Sequence, residues 1–322
     1  MRDLISVIMS VYNEKEEWII ESIDSILNQT YSNFEFIIVL DNPENKILKE
    51  ILIKYQFIDK RIKIIINKKN SGLIFSLNRA LKECEGLYIA RMDADDISHK
   101  NRFEKQLQYL VDNNLDLIGS NITLFSNKEV FFKTDKLLTH KYLKRLLMRG
   151  AIGIVHPTFF VRKKVFDKLG GYNNAFHAED MEFLSRAIFF GFKVGNIKDV
   201  LLNCRYRNNS VTKTNAYIMY KTAQYCTEIF KKSLATGKYI FDDNYKEYFV
   251  ISEKEKNKLN KKQILMVEAR QKLNRKKYFA SMLKIIKASI SSNSVYLSIK
   301  INLYLKMYKF FENIELKRSN KR

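Results

Sequence analysis

The stretch Ile5-Ser6-Val7-Ile8-Met9-Ser10-Val11, closed by Tyr12-Asn13-Glu14, sets the reading of the chain. A short, nearly unbroken apolar run of this kind marks a strand covered on both faces. Residues 16–28 follow with Ile19, Ile20, Ile23, Ile26 and Leu27 on one helical face. Phe34–Leu40 reads as a second buried strand, residues 44–57 as a second helix and Ile62–Ile66 as a third strand. Residues 73–84 then form a helical pattern with Leu73, Leu77, Ala80 and Leu81 facing inward, and residues 87–92 a fourth strand. Strand and helix in strict rotation predict an α/β chain on a parallel, doubly wound sheet. Beyond it, residues 100–113 read as helix, 115–124 as strand and 137–148 as helix. Residues 152–162 read as a strand interrupted by His156-Pro157, 179–190 as a helix after the Gly170-Gly171 turn, and 201–207 as a last strand. After about residue 210 strands become scarce, and lysine-bearing amphipathic helices are expected, notably over 256–290 and 294–314. The expected organisation is one domain over residues 1–210 and a basic, mainly helical region over 211–322.

The 322 residues are 46% hydrophobic and 13% aromatic, which excludes wholesale disorder. Cys84, Cys204 and Cys226 form no CxxC pair, and an odd count builds no disulfide framework, so reduced thiols and a cytoplasmic location are expected. No run of 18 apolar residues appears and the first residues lack a signal-peptide cleavage pattern, so neither secretion nor a membrane span is expected. The net charge of +22 comes from 42 Lys and 15 Arg against 35 acidic residues, a lysine excess that points to compositional bias. The charge is unevenly placed: residues 201–322 hold 27 Lys and Arg against 9 Asp and Glu, residues 1–200 hold 30 against 26. That asymmetry implies an anionic surface as partner of the back part. Residues 295–311, interrupted by Lys300, Lys306 and Lys309, are too charged to span a bilayer but suit a helix lying on one or packing back on the protein.

In a parallel sheet, ligands bind beyond the carboxyl ends of the strands. Those ends carry Ser10-Val11-Tyr12-Asn13-Glu14, Asp41-Asn42-Pro43, Asn70-Ser71-Gly72 and Asp93-Ala94-Asp95-Asp96. An aromatic ring, carboxylates and a glycine turn at one edge suit a nucleotide and a metal. Three carboxylates in four residues repel one another unless a cation offsets them, and hard oxygen donors favour Mg²⁺ or Mn²⁺ completed by substrate phosphates. The same tetrapeptide reads equally as a solvated acidic turn capping the next helix. His177-Ala178-Glu179-Asp180 opens a helix, where a carboxylate either complements the helix dipole or serves as a base. His99 and His140 lack partner spacing and read as surface histidines, Trp18 as packing.

Ser6-Val7-Ile8-Met9-Ser10-Val11-Tyr12-Asn13-Glu14, Ser25-Ile26-Leu27-Asn28-Gln29-Thr30-Tyr31 and Phe34-Glu35-Phe36-Ile37-Ile38-Val39 together resemble the opening of family 2 glycosyltransferases. So do Gly86-Leu87-Tyr88-Ile89-Ala90-Arg91-Met92-Asp93-Ala94-Asp95-Asp96-Ile97 with Arg102, Phe103, Glu104 and Gln106, then His156-Pro157-Thr158, Gly170-Gly171-Tyr172, Ala178-Glu179-Asp180 and Asn209-Ser210-Val211-Thr212, in the family's order. The resemblance covers residues 4 to about 212. It implies a GT-A fold, a nucleotide-sugar half joined to an acceptor-binding half. Asp93-Ala94-Asp95 then resembles the DXD motif, with Asp95 as metal ligand and Asp93 nearer the ribose. Tyr12 would stack on the base, Ser10 and Glu14 would contact the nucleoside, and Asp41 would accept the uracil imide N–H. Asn78 matches an asparagine close to the diphosphate. Asp180 would deprotonate the acceptor hydroxyl, with Glu179 and His156 lining the acceptor side.

These implied roles make the chain an inverting, metal-dependent hexosyltransferase using Mn²⁺ or Mg²⁺, with a UDP-sugar donor and a glycan or lipid-linked acceptor in surface polysaccharide synthesis. The basic tail would dock it at the inner face of the cell membrane. Two departures stand out. Leu40-Asp41-Asn42-Pro43 replaces the family's Asp-Asp-Gly-Ser, and Cys204-Arg205-Tyr206-Arg207 lacks the histidine of Tyr-Arg-x-His, where Arg207 could serve as a substitute cation. A non-catalytic nucleotide-sugar-binding scaffold of the same fold is the alternative. Nucleic acid is not an expected partner, because no reader motif is present and the charge is lysine-rich.

Overall fold

The computed structural model describes residues 3–126, 129–135, 138–207 and 216–249, with a few positions beyond. The expected helices over 256–290 and 294–314, the Asn209-Ser210-Val211-Thr212 motif and most of the basic tail lie outside the described residues. The first half alternates as the periodicity requires: β1 (Ile5–Val11), α1 (Glu16–Leu27), β2 (Phe34–Leu40), α2 (Lys46–Ile58), β3 (Ile62–Ile66), α3 (Leu73–Leu81) and β4 (Tyr88–Asp93). There follow β5 (Ile97–Ser98), α4 (Arg102–Asp112), β6 (Leu117–Ser126), β7 (Glu129–Lys133), α5 (His140–Leu147), β8 (Phe160–Arg162), α6 (Lys163–Leu169), α7 (Glu179–Phe189), β9 (Val194–Arg205) and α8 (Ala216–Thr236).

The strands form one sheet in the order β3-β2-β1-β4-β8-β6-β9-β5, with β7 on β6. Strands β1–β4, β6 and β9 share one direction, while β8, β5 and β7 run against them. The sheet is therefore mostly parallel. The single interrupted strand expected over 152–162 is instead a 3-10 turn, His156–Thr158, leading into the short antiparallel β8. Apolar alternation cannot distinguish these, because a buried strand looks alike in either direction.

Two cores flank the sheet. Val7, Met9, Phe36 and Ile38 face Ile19 and Ile23 of α1, Leu52 of α2 and Phe103 of α4. Ile8, Val39 and Ile89 face Leu77 of α3, Leu143 of α5 and Phe183 of α7. Cys226 and Phe230 of α8 join this second core, so the helix after residue 210 is packed on the sheet-bearing domain. Cys84, Cys204 and Cys226 are free, buried thiols. Among the described residues no helix is long and apolar enough to cross a membrane.

Register decides where the loops emerge. Val11 pairs with Leu40, Leu40 with Ile66, and Ser10 with Asp93, so the carboxyl ends of β1 to β4 lie level along one edge. Arg102 fixes that edge to the next segment. Its fully buried guanidinium donates to the Arg91 carbonyl (2.7 Å), the Pro157 carbonyl (3.0 Å) and Gln106 Oε1 (2.8 Å), and Gln106 donates to the Thr158 carbonyl at 2.8 Å. Burial lowers Arg102 to about 10, yet the charge persists because carbonyl dipoles surround it. The pair α4 thus presents, Arg102 and Gln106, staples the 156–158 turn against the end of β4.

Candidate active site

The site is built on the level edge of β1–β4. Tyr12, just past β1, is 42% exposed, and its N–H donates to Glu14 Oε2 at 2.8 Å. Burial raises the Glu14 carboxyl above its ordinary value. Asp41 is buried and its carboxylate is a hub: Oδ1 accepts from Asn67 Nδ2 (2.6 Å) and the Ser71 N–H (2.9 Å), and Oδ2 accepts from the Gly72 N–H (2.8 Å). Three of a carboxylate's roughly four acceptor positions are filled. Gly72 sits at φ +88°, a conformation that suits glycine, and there it opens α3 while turning its N–H to Asp41.

Asp93 ends β4 beside Ser10. Its carbonyl accepts from Ser22 Oγ at 3.0 Å, and its carboxylate meets Arg91 Nη2 at 2.5 Å. Strand alternation places Arg91 and Asp93 on the same face. Arg91 is buried, and its Nε and Nη1 have no hydrogen-bond partner. The turn that follows bends back under two arginines of β9 and its extension. Asp95 Oδ2 pairs with Arg207 Nε at 2.6 Å, and its carbonyl accepts from Arg205 Nε at 2.9 Å. Asp96 Oδ1 accepts the Arg205 N–H at 2.9 Å. Burial, reinforced by the Asp93 charge, raises Asp95 to about 6 and Asp96 well above its usual value.

The other wall comes from the 156–158 turn, the 170–178 loop and α7. His156 Nε2 lies 3.1 Å from the Tyr172 hydroxyl, and Nδ1 lies 3.4 Å from Glu179 Oε1. Burial, with the nearby Arg91 charge, lowers His156 to about 3, so the imidazole is neutral at physiological pH. Burial raises Glu179, and burial with the adjacent Glu179 raises Asp180 to about 6. Asp180 Oδ1 accepts the Met181 N–H at 2.7 Å. Just before them His177 adopts φ 63°, a left-handed geometry costing an L residue about 1–2 kcal/mol.

The two walls are electrostatically one region: Arg91 acts on Asp93, Glu179, Asp180 and His156, and Asp93 on Glu179 and His156. Asn78 is a brace between them, its Nδ2 donating to the Tyr172 carbonyl and its Oδ1 accepting the Tyr172 N–H, both at 2.8 Å. A Cβ at Gly171 would stand 2.6 Å from Asn78 Oδ1, so only glycine admits this contact. Behind the loop, buried Glu182 and Arg186 pair at 2.9 Å, and Arg186 donates to the Leu169 and Gly171 carbonyls. Tyr239 and Tyr245, beyond α8, hold Glu182 and the Phe176 N–H.

Among the described residues no group of three or more His, Cys, Asp or Glu side chains is arranged to hold a metal ion. A cage made by the protein alone is thus absent there. The carboxylates of Asp93 and Asp95 are hard oxygen donors of the kind a divalent cation takes; burial with the Asp93 charge lifts Asp95, and Arg91 and Arg207 are their partners here. Several residues had no role in the sequence reading. Trp18 lies beneath three cations, with Lys15, Arg205 and Arg207 at 5.0, 5.2 and 5.6 Å from its ring centroid. Arg91 had a detectable signal, a charge inside an apolar strand two residues before an aspartate. His99 and His140, expected at the surface, are half-buried; His99 Nε2 lies 3.1 Å from Asn203 Oδ1, and His140 Nδ1 accepts the Val194 N–H at 3.3 Å.

A family model described as glycosyl transferase family 2 matches residues 6–170. An uncharacterised glycosyltransferase of Methanocaldococcus jannaschii is 39% identical over 210 residues, covering 64% of this chain and 72% of that protein. The O-antigen biosynthesis glycosyltransferase WbnJ of Escherichia coli is 36% identical over 232 residues, covering 71% and 90%. Among solved structures, S. aureus TarS 1-349 in complex with UDP-GlcNAc superposes with a TM-score of 0.56 at 17% identity, covering 96% of this chain and 91% of that one.

The hub at Asp41 makes a measurable prediction. Asp41→Asn replaces one acceptor oxygen with a donor facing backbone N–H groups, and losing a charge-assisted hydrogen bond costs about 1.5–3 kcal/mol. Hydrogen exchange at the Ser71 and Gly72 amides is expected to quicken by about tenfold or more, whereas unchanged protection would show that the carboxylate does not hold this loop.

Proposed function

The chain belongs to glycosyltransferase family 2 and has the GT-A fold, and from that premise we propose that it transfers a sugar from a UDP-sugar to a hydroxyl acceptor with inversion at C1. The observation that carries the proposal is the buried Arg91, ion-paired with Asp93 at 2.5 Å on the sheet edge and within electrostatic reach of Glu179 and Asp180 at the start of α7. Binding of UDP-GlcNAc by TarS and the O-antigen assignment of WbnJ support a nucleotide-sugar donor and a role in surface polysaccharide assembly.

In this reading Tyr12 stacks on the base from its exposed position, while Ser10 and Glu14 shape the nucleoside site. The remaining acceptor position of Asp41 receives the uracil imide N–H, a proton that cytosine lacks. Asp93 lies toward the ribose. Asp95, assisted by Asp93, would hold Mn²⁺ or Mg²⁺, which supplies charge neutralisation for a departing diphosphate. Asn78 acts through the 171–172 segment, setting the wall that faces the diphosphate. Asp180 takes the proton of the acceptor hydroxyl as that oxygen bonds to C1 and the C1–O bond to the diphosphate breaks, with the electron pair leaving on UDP. Attack opposite the leaving group inverts C1. A carboxyl raised to about 6 is a stronger base than a solvated aspartate and is still deprotonated at neutral pH. Glu179 and His156 line the acceptor side, where an imidazole lowered to about 3 is a weaker base than Asp180 and does not compete for the proton.

Asp180→Asn is expected to bind UDP normally in calorimetry but to lose about 10²-fold or more in turnover. In the wild type, the rate falls as pH drops through about 6, because the base becomes protonated, and this limb disappears in the variant's residual rate. Wild-type turnover by the variant would remove Asp180 as the base. The surplus of basic residues after position 200 is proposed to hold the enzyme on an anionic membrane near a lipid-linked acceptor. Flotation with anionic liposomes should retain the full chain and lose it on deletion of 255–322; equal retention refutes this role.

A further inference from the structure

Two arginines reach the Asp93–Asp96 turn, and their situations differ. Arg205 is locked in place. Its N–H donates to Asp96, its Nε to the Asp95 carbonyl, its Nη2 meets Glu21 Oε2 at 2.5 Å, and its side chain is 10% exposed. It also covers the Phe125 ring at 4.7 Å. Arg207 has the looser setting: its side chain is 35% exposed, and its ion pair is to Asp95 Oδ2, at 2.6 Å. Asp95 itself is only 8% exposed at the side chain, so this guanidinium is its closest counter-charge. The Trp18 ring lies 5.6 Å away, and the Arg207 charge also reaches Glu14.

We infer that Arg207 is the resident counter-ion of Asp95, displaced when a divalent cation takes that carboxylate and passing then to the diphosphate of the donor. The inference rests on the reading of Asp95 as the donor-side carboxylate. Its logic is competition for one oxygen. A guanidinium and a metal ion cannot both occupy Asp95 Oδ2, because two cations at that separation repel strongly in a poorly hydrated site. Without the guanidinium, Asp95 would face Asp93 and Glu14 unopposed, and all three carboxylates bear on one another. The donor diphosphate presents paired anionic oxygens that match the planar fork of an arginine. The Trp18 face holds that plane by cation–π attraction while its partner changes. Arg205, tied at four points, lacks this freedom, so the positioning role falls to Arg207.

The test uses the full chain in calorimetry with two separate probes, MnCl₂ without nucleotide and UDP in EDTA. Arg207→Gln removes the competitor and the diphosphate partner together. It is expected to bind Mn²⁺ about fivefold or more tightly and UDP in EDTA about fivefold or more weakly than the wild type. Arg207→Lys, which keeps a cation, is expected to hold both affinities nearer to wild type than the glutamine variant does. If the melting temperature shows that Arg207→Gln has not folded, Arg207→Met takes its place with the same expected directions. Asp95→Asn should abolish the Mn²⁺ response, alone or combined with Arg207→Gln. A wild type that binds both probes beside an Arg207→Gln variant with unchanged affinities overturns the counter-ion role alone. A wild type that binds neither probe overturns the reading of the site, and this inference with it.

Discussion

A guanidinium sealed from water must find its counter-charge inside the protein, and Arg91 does so at the end of β4 with Asp93. The pairing fixes more than two side chains. Arg91 is sealed while the Asp93 side chain is 36% exposed, so losing Asp93 would leave a buried guanidinium without its counter-charge. Arg102 takes the Arg91 carbonyl and the Pro157 carbonyl together, which joins that strand end to the turn bearing His156. From Arg91 the charge reaches across to Glu179 and Asp180 at the start of α7. The strand edge and the start of α7 thus lie within the electrostatic reach of one buried cation.

Much of the polar chemistry near this edge supports architecture. Asp41 gathers three donors and shapes the 70–72 loop, Asn78 brackets Tyr172 through both ends of its amide, and Glu182 with Arg186 secures the loop from Leu169 to Asn173. The segment after α8 returns to the same wall, Tyr239 donating to Glu182 and the Tyr245 hydroxyl accepting the Phe176 N–H. Against that rigid background stand Asp95 and Asp180, each raised to about 6 by burial. Carboxyl groups kept near neutrality in a braced wall are suited to binding a cation or accepting a proton.

The legibility of the chain followed the physics of each segment. From β1 to β4 the strands are buried on both faces and the helices are amphipathic, so composition and period both report the element, and the strand ends locate the loops. The later part resisted reading because direction is not written in a buried strand. Phe160–Arg162 runs antiparallel, β5 and β7 are two and five residues long, and β9 begins at Val194, seven residues ahead of the strand expected at 201. At the site, the residues carrying oxygen and aromatic groups were visible from their places in the loops, but their partners were not. That Asp41 serves three donors, or that Trp18 collects three cations, depends on loops separated by tens of residues in sequence. Arg91 was missed as well, although a charge within the apolar run Tyr88–Asp93, two residues before an aspartate on its own face, was a signal that could have found it.

The central claim is that one cleft, backed by Arg91, joins a nucleotide at the β1–β4 edge to a proton acceptor on α7. The most direct measurement is a crystal structure of the protein with UDP and Mn²⁺. The account predicts the base against Tyr12 and the 70–72 loop, the diphosphate toward Asp95, and the Asp180 carboxylate opening into the same hollow. A nucleotide bound away from that edge, or an Asp180 carboxylate turned to a separate surface, would contradict it.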